Sequence, residues 1–75
     1  HLFALDAAQM LGDRVQQAQI LNNLGNVYLR QGQWERAQVR YDRALQLCRQ
    51  QNIPFQEAQT FINLGILYRL RNQPE

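Results

Sequence analysis

The stretch Asn22–Tyr28 reads NNLGNVY, and nearly the same pattern returns forty residues later as INLGILY at Ile62–Tyr68. Sliding the chain of 75 residues by that interval needs no gap, and further identical pairs flank the motif on both sides. The pairs are Ala4-Leu5 with Ala44-Leu45, Gln16 with Gln56, Ala18-Gln19 with Ala58-Gln59, Gln33 with Gln73, and Glu35 with Glu75. Self-similarity at a fixed interval is typical of repeat architectures, so we expect a short repeat array.

Apolar residues within each copy recur at intervals of three and four, which indicates one face of an α-helix. Gly12 aligns with Asn52 and Gly32 with Asn72, and both residue types readily take the left-handed conformation that ends a helix. The sequence therefore predicts an all-α fold of antiparallel helices joined by short loops. The four predicted helices are Phe3–Leu11, Val15–Arg30 after an Asp13 cap, Trp34–Gln50, and Phe55–Arg71.

Each of the last three helices carries a stripe that we expect to face the core. The stripes are Ala18, Leu21, Leu24, Gly25 and Tyr28; then Trp34, Ala37, Tyr41, Ala44, Leu45 and Cys48; then Ala58, Phe61, Leu64, Gly65 and Tyr68. Gly25 and Gly65 lie in helix interiors, where glycine costs about 1 kcal/mol relative to alanine. We therefore expect another helix to approach closely at both glycines.

Charge argues against a nucleic acid partner, and hydropathy argues against a membrane. The net charge is only +2, and the arginines are scattered; nucleic-acid binders usually cluster their basic residues. The nearest approach to a cluster is Arg36, Arg40 and Arg43, which we interpret as a solvated outer face. No apolar run approaches the roughly 20 residues of a membrane span. The single cysteine, Cys48, is compatible with a reducing compartment, and we expect a cytoplasmic location.

Residue types that are capable of catalysis are few and dispersed along the chain. The one histidine is His1, at the terminus of the sequence, which disfavours a histidine-based catalytic group or metal cluster. The glycines are too scattered for a phosphate-binding loop. Cys48 lies on the inward stripe and is expected to be a small buried hydrophobe. We predict that the chain is not an enzyme and uses no cofactor.

The spacing Leu24-Gly25-x₂-Tyr28, followed by Ala37-x₃-Tyr41, resembles the signature of the tetratricopeptide repeat, W-x₂-L-G-x₂-Y then A-x₃-F then P. Leu21 stands in the place of the tryptophan, Tyr41 replaces the phenylalanine, and Arg49 stands about where the proline would be. The forty-residue interval departs from the common 34. It is similar to a variant found in cell-polarity adaptors, kinesin light chains and bacterial signalling regulators.

The resemblance implies a short right-handed α-solenoid. In that arrangement residues 1–12 form the second helix of a preceding repeat, 13–52 a complete repeat, and 53–75 the first helix of the next. Repeat units bury their apolar faces on neighbours and generally need about three to be stable. We therefore expect either homo-oligomerisation through the exposed repeat ends or a longer parent protein.

The resemblance also implies a protein–protein interaction scaffold whose first helices line a concave groove for a peptide or partner helix. The expected partner-binding residues are Gln19, Asn22, Asn23, Asn26, Arg30, Gln59, Ile62, Asn63, Ile66, Arg69 and Leu70. An asparagine amide both donates and accepts, so it matches a peptide backbone. In an alternative interpretation, the asparagines pair with each other between adjacent helices.

The two copies differ along this face. Asn22, Asn26 and Arg30 align with Ile62, Ile66 and Leu70, so a polar row becomes an apolar one, which favours an interface. The alternative function is a self-assembling structural module. RNA binding is disfavoured by the small net charge and by the different signature.

Overall fold

The computed structural model describes the backbone of residues 3–72 and the side chains of residues 13–72. It contains three helices, α1 (Phe3–Arg30), α2 (Trp34–Gln51) and α3 (Pro54–Arg71), and no strand within residues 3–72. Loops of three and two residues separate them, so α2 runs antiparallel to both of its neighbours. The helix α2 packs against both others, whereas the contact between α1 and α3, which run parallel, is smaller.

The predicted break between a first and a second helix is wrong, because α1 continues through Gly12 and Asp13. Asp13 is therefore an interior residue and not a cap. A glycine inside a helix costs about 1 kcal/mol, which a helix of 28 residues tolerates when no proline forces a turn. The described residues form three helices instead of the four expected. The assignment of residues 1–12 to a preceding repeat stays a prediction, as does the right-handed solenoid.

The ends of α1 and α2 confirm two of the predicted stop signals. Gly32 has φ 76° and Asn52 has φ 56°, both in the left-handed region. After α1, the backbone N–H of Gln33 donates to the carbonyl oxygen of Tyr28 at 2.9 Å, and the residue after Asn52 makes the equivalent bond at 2.9 Å. This bond and the left-handed residue form the motif that satisfies the last carbonyls of a helix. The local sequence alone accounts for these two turns.

The two ends of α3 follow different rules. Pro54 occupies the first turn, where its missing N–H and fixed φ cause no loss. Asn72 aligns with Gly32 but has φ −96°, so the expected left-handed conformation is wrong here. The N–H of Asn72 still donates to Tyr68 O at 3.1 Å, which closes one more helical turn and removes the need for a left-handed residue.

The core consists of two clusters that both use α2. One contains buried residues of α2 and α3, with half-buried residues of α1 and α2 packed against them: Ala37, Tyr41, Leu64 and Leu67, with Tyr28, Leu29 and Leu45. The other joins α1 to the second half of α2: Ala18, Leu47 and Cys48, with Leu21 and Ile53. The helix α2 therefore holds the other two helices in place.

The prediction that a stripe of the last helix faces the core is largely wrong. Of its members only Leu64 is buried; the rest, Ala58, Phe61, Gly65 and Tyr68, are exposed. The buried residues of α3 are Thr60, Asn63, Leu64 and Leu67. The reason is that α3 contacts α1 and α2 through a different side from the one that α1 presents to α2. Leu24 on α1 is also exposed, at 39%.

Candidate partner-binding faces

A buried polar network joins α1 to α3, with Asn22 at its centre. Asn22 Oδ1 accepts a hydrogen bond from Asn63 Nδ2 at 3.4 Å, and Asn22 Nδ2 donates to Gln56 Oε1 at 3.4 Å. The single proton of Thr60 Oγ1 is shared between Asn22 Oδ1, at 3.0 Å, and the backbone oxygen of Gln56, at 2.8 Å. Asn22 is 3% exposed and Thr60 is fully buried. Burying amides is costly unless they are hydrogen-bonded. The network therefore sets the register and spacing of the two helices.

The four asparagines among the predicted partner-binding residues lie at different depths. Asn22 and Asn63 hydrogen-bond to each other below the surface, which favours the inter-helix alternative for both. Asn26 is half-buried and accepts a hydrogen bond from the Tyr41 hydroxyl. Asn23 is exposed. Partner contact by any of the four stays a prediction.

Eight of the predicted residues are exposed or half-buried on α1 and α3, and we call this set the α1–α3 face. Its exposed members are Gln19, Asn23 and Arg30 on α1 and Gln59, Ile62 and Arg69 on α3, and its half-buried members are Ile66 and Leu70. Ile62 is 59% exposed. The helix α1 therefore exposes amides and α3 exposes apolar residues, and exposed apolar residues that form a contiguous patch are typical of interaction surfaces.

Thr60 and Gln56 were not expected to take part in the site. Together with Asn63 they follow helical spacing on one side of α3, so a polar row on the buried side of the helix was present in the sequence. This row was the signal for a network between α1 and α3. Which residue of α1 pairs with this row depends on how α1 and α3 pack, and the sequence alone does not give that.

The contact between α1 and α2 is closest where Tyr41 covers Gly25. A Cβ added at Gly25 would stand 2.7 Å from Tyr41 Cδ1 and 2.8 Å from Cζ, so the expected close approach is confirmed here. Tyr41 is fully buried, and burial raises the pKa of its phenol, with the nearby charge of Arg30 opposing the rise. No atom within 4 Å meets a Cβ added at Gly65, among the residues that the structure describes, so the same expectation is wrong there.

A cavity of about 640 Å³ lies between α1 and α2. Three arginines line it, Arg14, Arg40 and Arg43, together with apolar residues that include Ile20 and Leu47. Within residues 13–72 the ion pair is Arg49–Glu57, and none of the three arginines takes part in it. The lining therefore favours a polar or anionic group at this cavity.

Arg40 departs from the expected solvated outer face. Its side chain is half-buried, its guanidinium carbon lies 5.7 Å from the centroid of the Tyr28 ring, and its Nε is buried without a hydrogen-bond partner among the described residues. Arg36 and Arg43 are exposed, as expected. The cation–π contact explains why Arg40 lies inward.

A second surface, which we call the open α3 face, consists of Ala58, Phe61, Gly65 and Tyr68. Side chains of α2 contact both of its rings. Arg49 lies 5.7 Å from the Phe61 ring centroid, and Gln38 Nε2 donates to Tyr68 Oη at 3.0 Å. Phe61 and Tyr68 remain 48% and 43% exposed, so nearly half of each residue is open to solvent in the described part of the chain.

Groups capable of chemistry are buried or dispersed in the described part of the chain. Cys48 is fully buried, and burial raises the pKa of its thiol, with a smaller contribution from the charge of Glu57. Residues 13–72 contain no group of three potential metal ligands. None of the described helices has the length and apolar character needed to cross a bilayer.

The sequence profile of one family, Tetratricopeptide repeat, matches residues 16–75, which is most of the chain. The match includes all of α2 and α3 and residues 16–30 of α1. Comparison with curated proteins and with solved structures found no match.

Proposed function

Because the chain belongs to the tetratricopeptide repeat family, whose members are generally protein–protein interaction modules, we propose that it binds a peptide or partner helix across the α1–α3 face. One observation carries this proposal. Gln19 and Asn23 on α1 and Gln59 and Ile62 on α3 are all exposed, and the three amides have no hydrogen-bond partner among the described residues. Such a surface offers amides to a peptide backbone and an apolar row to its side chains.

The binding free energy that contacts with this surface can supply is sufficient for a modest affinity. Each amide contact with a peptide backbone contributes about 1 kcal/mol net. Covering the exposed part of a side chain such as Ile62 contributes about 1–2 kcal/mol. The buried bonds of Asn22 hold α1 and α3 in one register before binding, which lowers the entropy cost of association.

The test is a selection of displayed peptides followed by mapping of the bound peptide through amide chemical shifts. We expect the perturbed amides to lie on α1 and α3, around Asn23 and Ile62. Ile62→Asp should weaken binding about tenfold or more, which corresponds to 1.4 kcal/mol. Val39→Asp on α2 is the matched control, since Val39 and Ile62 are both 59% exposed. Equal weakening by both variants would contradict the proposal.

Self-association is the alternative function. The observation that favours it is the amount of exposed apolar surface: Phe55 is 78% exposed, Ile62 59% and Ile20 50%. Light scattering over a range of concentrations measures the solution mass. A mass that rises to a stable dimer or larger species supports homo-oligomerisation, and a constant monomer mass rules it out. We also infer a cytoplasmic location, supported by Cys48 having no second cysteine to pair with.

A further inference from the structure

The cavity between α1 and α2 carries positive charge that the described residues do not balance. Arg14 of α1 and Arg40 and Arg43 of α2 line it, and every other lining residue is a glutamine or an apolar residue. Arginine stays charged at all ordinary pH values, and like charges around one cavity repel each other. A negatively charged group bound in this cavity would therefore be attracted by all three arginines.

Arg40 has the strongest need for such a group. Its side chain is half-buried, it lies over the Tyr28 ring, and its Nε is buried without a hydrogen-bond partner among the described residues. Removing part of a charged group from water costs free energy unless an opposite charge or an acceptor is close by. An anion bound in the cavity that Arg40 lines would offset this cost.

The arginines lie at two separate ends of the cavity. Tyr41 lies against Gly25, and α2 runs antiparallel to α1, so Arg43 is about level with Asn23 of α1. Asn23 follows Arg14 by nine residues. Because an α-helix rises about 1.5 Å per residue, the two ends of the cavity are about 13 Å apart along the helix axis.

Apolar residues lie between these two ends. Ile20 and Leu21 follow Arg14 on α1, and Leu47 contributes from α2. Ile20 is half exposed, so part of this apolar surface is open to a ligand. At one end, Gln17 Oε1 accepts a hydrogen bond from Arg14 Nη1 at 3.3 Å, which orients that guanidinium. The cavity thus presents a cation, an apolar surface and two further cations in a row.

We propose that this cavity binds an extended acidic segment of a partner protein with the pattern acid-x-apolar-x-acid. In an extended chain, residues two and four apart point to the same side, and four residues span about 13 Å. One carboxylate then pairs with Arg14, and the other lies between Arg40 and Arg43. The apolar side chain between them covers Ile20.

A helical partner matches this spacing less well. Acids on one face of a helix recur after seven or eleven residues, which correspond to about 10 and 16 Å. A helix also brings about nine residues over a length that five extended residues cover. The extended segment is therefore the better occupant for a cavity of about 640 Å³.

A second copy of the chain does not supply this segment. No two acidic residues of the sequence are four residues apart; the six are Asp6, Asp13, Glu35, Asp42, Glu57 and Glu75. The partner is therefore a different protein. The cavity also shares no lining residue with the α1–α3 face, so this proposal and the proposed function can fail independently.

The probe is the capped peptide GETLTEG, in which two glutamates flank a leucine at the proposed spacing. Two control peptides accompany it: GQTLTQG removes both charges, and GEETLTG keeps both charges and the leucine but places the acids side by side. We expect GETLTEG to shift the amides around Ile20, Arg43 and Leu47. It should bind at least tenfold more tightly than either control, because only GETLTEG reaches both ends of the cavity with a carboxylate.

Arg43→Gln in the protein tests the role of the arginines. Arg43 is exposed, so the variant should stay folded by circular dichroism, while the affinity for GETLTEG falls about tenfold. Arg36→Gln is the matched control, since Arg36 is an exposed arginine of the same helix that does not line the cavity. This control should change the affinity less than about twofold, because solvent and salt screen a distant exposed charge.

Four results would overturn the proposal. They are no binding of GETLTEG, equal or tighter binding of either control peptide, equal effects of the two arginine substitutions, and amide shifts confined to the α1–α3 face. Equal binding of GEETLTG would mean that the protein attracts negative charge without reading its spacing. Shifts confined to Gln59, Ile62 and their neighbours would assign the peptide to the surface of the proposed function instead.

Discussion

Tyr41 occupies the space that a side chain at Gly25 would fill, since a Cβ at residue 25 would stand 2.7 Å from Tyr41 Cδ1. The ring is fully buried, and its hydroxyl donates to Asn26, which limits how far it can move. The absence of one side chain on α1 therefore determines how closely α2 packs. The forty-residue repeat supplies a matched position, Gly65, where the same glycine faces no helix in the described residues.

Alanine at the two glycines should change stability in opposite directions. Gly25→Ala forces the Tyr41 ring to move, and overpacking of this kind typically costs about 1–3 kcal/mol, which exceeds the gain in helix propensity. Gly65→Ala adds only that gain, up to about 1 kcal/mol. Urea unfolding of both variants measures the difference. The same sign for both would contradict the close contact at Gly25.

Removing the amide of Asn22 should destabilise the fold. Asn22→Ala leaves the amide of Asn63 buried without this partner, whereas the Thr60 hydroxyl keeps the backbone oxygen of Gln56, so the cost should be about 1–2 kcal/mol. Asn23→Ala is the control, because Asn23 is its exposed neighbour on the same helix, and it should change stability by less than about 0.5 kcal/mol. Thermal unfolding compares the two variants. Equal effects would mean that the network does not hold α1 to α3.

The stability of the fold should fall at alkaline pH through Tyr41. Burial raises the pKa of Tyr41 above its ordinary value of 10.0, so the folded state keeps the phenol proton to a higher pH than the unfolded state. The stability that comes from keeping Tyr41 protonated is complete below pH 10, the pKa in the unfolded state. It is lost as the pH rises through the pKa of Tyr41 in the folded state.

Tyr41→Phe isolates this effect. The variant should lose about 1 kcal/mol at neutral pH, because Asn26 loses its donor, but its stability should fall less steeply above pH 10. Denaturant unfolding at a series of pH values gives both numbers. An identical alkaline slope in the variant and the parent would exclude Tyr41 as the source.

The thiol of Cys48 should react slowly with maleimide in the folded protein. The side chain is fully buried, and its raised pKa lowers the thiolate fraction at neutral pH. Unfolding in urea should accelerate the reaction by a factor on the order of 100 or more, since a folded domain opens rarely.

An exposed cysteine provides the comparison for Cys48. Gln50→Cys in a Cys48→Ala background places a thiol two residues away at an exposed position of the same helix. It should react at nearly the same rate with and without urea. A fast native reaction at Cys48 would show that the second core cluster opens readily.

Local sequence was sufficient to predict most of the secondary structure. The bounds of α2 and α3 agree with prediction within one residue, because Gly32, Asn52 and Pro54 act through their own backbone preferences. Gly12 was misread as a stop, since glycine permits a turn without requiring one. Whether the chain turns there depends on what else it contacts.

The sequence predicted which residue types form the site, but it did not predict which of those residues are exposed. The asparagines around Leu24 were recognisable as unusual for a helix. Their separation into a buried Asn22 and an exposed Asn23 depends on where α3 lies against α1. The same packing decides that Ile62 is exposed and Asn63 is buried, although they are neighbours in the chain.

The sequence by itself determined that the chain is helical, where two of its turns lie, and that two segments forty residues apart share one pattern. Only the tertiary structure decided which faces of those segments are buried. Gly25 and Gly65 share the local motif NLG, yet one is covered by Tyr41 and the other has no neighbour. The physical reason is that helical periodicity follows from the backbone of a single segment, whereas burial requires a second surface to exclude water.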